Sequence, residues 1–178
     1  MILITTSHRP SPRVRSFVKD LASILPGAHR VNRGHKTLSE LAIESVARGA
    51  DYLAIISEKG GNPSAISIYE IAEKHTHCPS PLKIAELLLH GVKLSREVQG
   101  SHRAYYASCI SIDPSKCTSD DCYFIADLYT KIFIKAMCSK PDLLMVLEDN
   151  KYVTIKYVSA NGDPVGPVIS VIRALRFR

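Results

Sequence analysis

Three short segments that read as strands, at residues 1–6, 28–31 and 51–57, are separated by two stretches whose apolar residues recur at helical spacing. This alternation limits the fold more than any other feature of the chain. In the first stretch Val14, Phe17, Val18, Leu21, Ile24 and Leu25 form one stripe that stops at Pro26-Gly27. In the second, Thr37 stands where an N-cap belongs and Glu40 where the returning carboxylate of a capping box belongs. Leu38, Leu41, Ala42, Ser45 and Val46 then make a stripe that closes at Gly49. A helix with one apolar stripe must cover something, and strands that alternate with such helices build a βαβαβ unit with a largely parallel sheet.

The pattern changes beyond residue 58. Lys59-Gly60-Gly61-Asn62-Pro63 signals a turn, and residues 65–69 alternate as an antiparallel return strand does. Residues 75–81 read as a loop, and residues 84–92 have the composition of a helix by propensity. Phe124, Ile125, Leu128, Ile132, Phe133 and Ala136 predict a further helix within residues 120–137. Residues 141–148 then mirror residues 50–58: an aspartate precedes a buried strand, acidic residues end it, and a turn leads to an alternating strand, here residues 152–158. The echo points to two related halves.

Composition narrows the class. At 178 residues with 46% hydrophobic and 22% charged content the chain supports an ordinary core, and its longest apolar runs are far below the roughly 20 residues of a membrane helix. The start lacks a basic n-region and a cleavage site, so a cytoplasmic protein without a membrane partner is expected. Five cysteines, Cys78, Cys109, Cys117, Cys122 and Cys138, form no C-x-x-C pair, and their odd number predicts buried thiols rather than a disulfide framework. His75-Thr76-His77-Cys78 has no partner cluster at zinc-site spacing and reads as a surface loop; Cys117-x4-Cys122 reads as a loop-to-helix junction. No metal and no cofactor is expected.

Charge is concentrated. The net charge is +6, and the first 59 residues hold nine Lys/Arg against five Asp/Glu, with Arg173, Arg176 and Arg178 adding three cations at the other end. Such a balance raises the prospect of a polyanionic partner. Between the first strand and the first helix lies a hydroxyl- and arginine-rich turn, Ser7-His8-Arg9-Pro10-Ser11-Pro12-Arg13-Val14-Arg15. Ser7 and Ser11 are good N-cap residues, Pro12 suits the first helical position, and free N–H groups at a helix start favour an anion such as a phosphate. Arg9, Arg13 and Arg15 add fork-shaped donors matched to phosphate oxygens. Arg30, Arg33, His35 and Lys36 follow the second strand. If the two strands are parallel neighbours, both loops gather at one edge of the sheet.

The same residues carry a resemblance. Thr5, Thr6, Ser7, Arg9, Ser11 and Arg13, followed by Lys19, Leu21, Pro26 and Ala28 and then by Arg30, Asn32, Arg33 and Gly34, resemble the opening of a Brix domain, the module of ribosome-biogenesis proteins. Val165-Gly166-Pro167-Val168 resembles its closing motif, with Val168 in place of the usual arginine. His8 stands where many members have their first arginine, and Pro10 adds a second proline to the loop. The likeness spans nearly the whole chain and is thin between residues 78 and 141. It implies a single Brix domain over residues 1–178, similar to the stand-alone archaeal members. That domain is an α/β fold of two pseudo-symmetric halves, approximately 1–80 and 81–178, of mixed β-sheet with packed helices. Each half is similar to the anticodon-binding domain of class II tRNA synthetases. The comparison also favours a strand at residues 84–92.

Function follows from chemistry and resemblance together. The chain has no phosphate-loop, dinucleotide, H-E-x-x-H or G-x-S-x-G motif, so no catalytic residue is assigned. Asp51, Glu58, Asp142, Glu148 and Asp149 lie at strand ends and serve as acid–base groups only if they face one cleft. The expected role is a non-enzymatic, RNA-binding assembly factor that helps ribosomal RNA or its precursor to fold or pair. Its predicted contacts are Ser7, Arg9, Ser11, Arg13, Arg15, Arg30, Arg33, His35 and Lys36, with Arg96, Arg103, Tyr105 and Tyr106 as an extension from the second half. Two rivals remain: an enzyme holding a small phosphorylated substrate at the turn from Ser7 to Arg15, and an interaction module for ribosome assembly proteins in a pre-ribosomal particle.

Overall fold

The computed structural model describes residues 1–73, 79–101 and 105–177. His75, Thr76, His77 and Cys78, together with Arg103 and Arg178, lie outside the described residues. The elements run β1 (Ile2–Thr6), α1 (Pro12–Ile24), β2 (Ala28–Arg30), α2 (Leu38–Ala47), β3 (Tyr52–Lys59), β4 (Asn62–Ala72), β5 (Ser80–Lys93), β6 (Ile110–Lys116), α3 (Asp120–Phe133), β7 (Leu143–Asp149), β8 (Val153–Ser159) and β9 (Val168–Arg176). The strands join in one mixed sheet of order β2-β1-β3-β4-β5-β9-β8-β7-β6. The fold is α/β, as the alternation predicts.

Local signals set the first half. Ser11 caps α1, with Pro12 at the first helical position, and Thr37 and Glu40 close a capping box on α2. β1 pairs in parallel with β2 on one side and β3 on the other. The β3–β4 and β4–β5 pairings are antiparallel. Residues 84–92 lie in β5, which pairs with β4 and β9. Bonding on both edges and burial of Ala85, Leu87 and Leu89 override the segment's helix propensity.

The two faces of the sheet are covered unequally. α1 and α3 share one continuous core, where Phe17 and Leu21 join Ile125 and Phe133 over Ile4, Ile56, Leu87, Ile155 and Val171. α2 covers the opposite face of the first half, packing Leu41 and Ala42 on Leu3, Leu53, Ile55 and Ile71. Among the described residues no helix is long and apolar enough to cross a membrane.

One strand goes unanticipated and one expectation fails. β6, a strand interrupted by Pro114, pairs with β7 alone among the strands described and lies at the edge of the sheet; an edge strand tolerates a proline that a central one would not. The cysteines are not all buried thiols. Cys109–Cys138 and Cys117–Cys122 are disulfides, with Cα atoms 6.0 and 5.4 Å apart. Linear spacing hides the first pair: residues 110 and 137 meet in a parallel bridge, which brings flanking Cys109 and Cys138 together across 29 residues of chain.

Candidate nucleic-acid interface

The loops after β1 and β2 meet, as parallel neighbours must. His8 Nδ1 donates to the Gly34 carbonyl at 3.1 Å, tying one loop to the other. Beneath this contact, Val31 N–H donates to the Ile4 carbonyl at 3.0 Å and the buried Thr5 hydroxyl donates to the Val31 carbonyl at 3.0 Å. Arg9 turns the first loop at φ 51°, a left-handed conformation uncommon outside glycine. Its side chain is exposed.

Ser11 is held on three sides. Its hydroxyl accepts from Val14 N–H at 3.3 Å and donates to the Gly61 carbonyl at 2.9 Å. Its own N–H donates to Glu58 Oε2 at 2.6 Å. The start of α1 is thus capped from within, and a carboxylate already takes the N–H of its cap. Ser7 N–H is also used, donating to the Ile56 carbonyl at 2.8 Å. The Ser11 side chain and the backbone N–H groups of both serines are thus engaged within the loop.

The guanidinium groups divide in two. The Arg13 fork donates to Glu97 Oε1 at 2.5 Å and Oε2 at 2.8 Å and to the Val92 carbonyl at 2.8 Å. The Arg13 guanidinium holds the Glu97 carboxyl at about 2, well below its ordinary range. Arg13 is therefore a brace between α1 and the turn after β5. Arg15, Arg30 and Arg33 instead line one cleft of about 310 Å3, floored by Thr6, Val18 and Val31 and edged by Pro10 and Asn32. Arg30 donates to Asn32 Oδ1 at 3.1 Å, and Arg33 Nε to the Lys36 carbonyl at 2.9 Å.

A second depression of about 450 Å3 continues from Arg30 and Asn32 to Lys36, Glu44 and Arg48. Lys36 meets Glu44 at 2.6 Å and Arg48 meets it at 3.1 Å. These cations, Lys36 foremost, hold the Glu44 carboxyl below its ordinary range. His35 is exposed on the same loop. Sequence reasoning misses Arg48, the C-cap of α2; its place four residues after Glu44 is the available signal.

Of the extension from the second half, Arg103 lies outside the described residues and Tyr105 is turned away from the arginine cleft. Tyr105 donates to the Asp142 carbonyl at 2.7 Å, at the start of β7, and nearby Ser108 shares a depression with Met1, Gly27 and Asp51. That is the opposite end of β1 and β3 from the arginine cleft. Tyr106 is 85% exposed and Arg96 is exposed in a 3-10 turn beside Glu97. Arg176 lies in the central strand β9 with its guanidinium 4.3 Å from the Phe124 ring centre.

Nor do the strand-end carboxylates face one cleft. Asp51 bonds the N-terminal ammonium at 3.2 Å, Glu58 bonds Ser11, and Asp142 accepts from Ser108 and Cys109. Glu148 pairs with Lys116 and Lys156, and Asp149 accepts from Thr118 and Ser119. The site offers cations and hydrogen-bond donors at one sheet edge.

No family model matches the chain. It is 31% identical over 175 residues to the probable Brix domain-containing ribosomal biogenesis protein of Pyrococcus horikoshii, covering 97% of this chain and 76% of that protein. The chain belongs to this Brix domain-containing ribosomal biogenesis family. The Brix relative of Pyrobaculum aerophilum is 32% identical over 178 residues, covering 97% of this chain and 92% of that protein. The Brix protein of Aeropyrum pernix is 47% identical over 94 residues, which is 53% of this chain and 50% of that protein. The crystal structure of the probable ribosomal biogenesis protein from Aeropyrum pernix K1 superposes with a TM-score of 0.80 at 36% identity, covering 96% of this chain and 94% of that one. Mil, an archaeal Imp4-like protein, shares the fold at a TM-score of 0.69 and 21% identity, covering 98% and 99%.

Proposed function

We propose that this Brix protein is a cytoplasmic, non-enzymatic ribosome assembly factor that binds ribosomal RNA or its precursor in the cleft between the β1–α1 and β2–α2 loops. The observation that carries the reading is the convergence of Arg15, Arg30 and Arg33 on one cleft, with exposed Arg9 on the adjoining loop. Guanidinium groups neutralise phosphate repulsion, and their planes also accept an unpaired base. The factor holds single-stranded or bent segments and promotes their folding with no covalent step. Its relatives' role in ribosomal biogenesis supports this partner.

The test is a salt series on a pre-ribosomal RNA fragment with wild type and the triple variant Arg9→Ala, Arg15→Ala, Arg33→Ala. Each phosphate contact on a single strand adds roughly 0.7 to the slope of log affinity against log salt, so losing three lowers the slope by about 2. An unchanged slope and affinity in the folded variant would remove the site from this cleft. Retention of a phosphorylated metabolite without RNA binding would favour the enzyme reading instead.

A further inference from the structure

Among the described residues, no helix covers the outer face of β9, β8 and β7. α3 lies on the face it shares with α1, whereas on the other side α2 packs on β1, β3 and β4 and reaches no further than β5. β8 accordingly alternates between buried residues on the core side and half-buried Thr154, Lys156 and Val158 on the open side. On this open face the β5–β9 register shifts between Leu89 and Gly91, which sets His90 out of the ladder. Its exposed ring stacks on Tyr152, in the turn before β8, with centroids 4.0 Å apart and planes 20° apart.

Cations surround this aromatic pair. Lys151 Nζ lies 5.4 Å from the centre of the Tyr152 ring. His90, Lys93, Lys156, Glu148 and Asn150 line an adjoining cleft of about 490 Å3. Glu148 is the acidic member, and it is matched twice, by Lys156 at 2.5 Å and Lys116 at 3.0 Å. The face thus combines a flat aromatic surface with an excess of positive charge, the pairing that single-stranded nucleic acid requires: rings for bases, cations for phosphates. Val92, which also lines this cleft, is the residue whose carbonyl Arg13 holds at the start of α1.

We infer that the His90–Tyr152 pair is a second RNA contact, a stacking platform for an unpaired base whose flanking phosphates meet Lys93, Lys151 and Lys156. The inference rests on the RNA reading of the family fold but uses none of the residues of the arginine cleft.

The test measures binding of a ten-nucleotide oligouridylate and its abasic counterpart to wild type, to the His90→Ala, Tyr152→Ala variant and to the triple arginine variant. Removing a base-stacking ring is expected to cost about 5- to 150-fold on the base-containing strand, with wild-type affinity on the abasic strand. Tyr152→Phe, which keeps the ring, should restore binding. The arginine variant should lose affinity for both strands. Equal binding of both strands by wild type and the double alanine variant would overturn the platform while leaving the cleft intact. Loss in the platform variant alone would support the platform and reject the cleft. Should the double alanine variant not fold, the surface variant Lys93→Glu, Lys151→Glu must weaken the oligouridylate, and an unchanged affinity would reject the proposal.

Discussion

Arg13 and Glu97, 84 residues apart, share two hydrogen bonds, and the same guanidinium reaches the Val92 carbonyl. One side chain therefore ties the start of α1 to the turn that follows β5. Because Arg13 holds the Glu97 carboxyl at about 2, the ionised form is favoured by the folded state. A carboxylate with a depressed folded pKa contributes stability above its unfolded pKa and loses it as pH falls through the folded value. Wild type should exceed Glu97→Gln in urea midpoint at pH 7, and the gap should close between about pH 4.5 and 2. A gap that persists at pH 2 would assign the effect to packing. Arg13→Ala should lower the midpoint at neutral pH without the specific salt-slope loss of the cleft variant.

The two disulfides make stability depend on redox state. In the chain-entropy model a bridge closing a loop of about 30 residues stabilises by about 3.5 kcal/mol and one of about five residues by about 2. Thermal melts with and without a phosphine reductant should therefore differ by several degrees, with most of the loss reproduced by Cys109→Ser, Cys138→Ser. Mass measurement after alkylation of the unreduced, unfolded chain should find four of the five cysteines protected. Full alkylation would count against both bridges.

Gly166 in the Val165-Gly166-Pro167 motif has φ +66°, and a Cβ there would press into the side chain of Ile24, which is fully buried in the core. Gly166→Ala combines left-handed strain with overpacking and should destabilise by roughly 2–3 kcal/mol. Relief of the crowding part by Ile24→Val in the same chain, seen as a smaller second loss in a double-mutant cycle, would separate the two causes.

Thr37 accepts from Glu40 N–H at 3.2 Å, while Glu40 accepts from Thr37 N–H at 2.7 Å. Thr37→Ala should cost about 1 kcal/mol and loosen the first turn of α2 beside Lys36. Faster amide exchange confined to residues 37–41 would report this.

Much of the first half was legible because its determinants are local. The stripe from Val14 to Ile24, the Thr37–Glu40 pair and the apolar run at Leu53 each state their own conformation within a few residues. β5 was not legible from propensity, since what makes Leu87 part of a strand is bonding to β4 and β9 from distant parts of the chain. The site was half legible for the same reason. Adjacent parallel strands bring Arg15, Arg30 and Arg33 together as their loops imply, but nothing near Arg13 announces Glu97, and nothing near Ser11 announces Glu58. His90 and Tyr152 form no motif at all; only the β5–β9–β8 order makes them neighbours.

That order also bears on how the chain is made. β9, residues 168–176, is inserted between β5 and β8 and is the last of the strands among the described residues to leave the ribosome. Until it emerges, the earlier strands form two separate ladders with open inner edges on β5 and β8, each able to recruit a foreign strand. A nascent chain stalled before residue 168 is therefore the form most in need of a chaperone, and the emergence of residues 168–176 is what joins the ladders into one sheet.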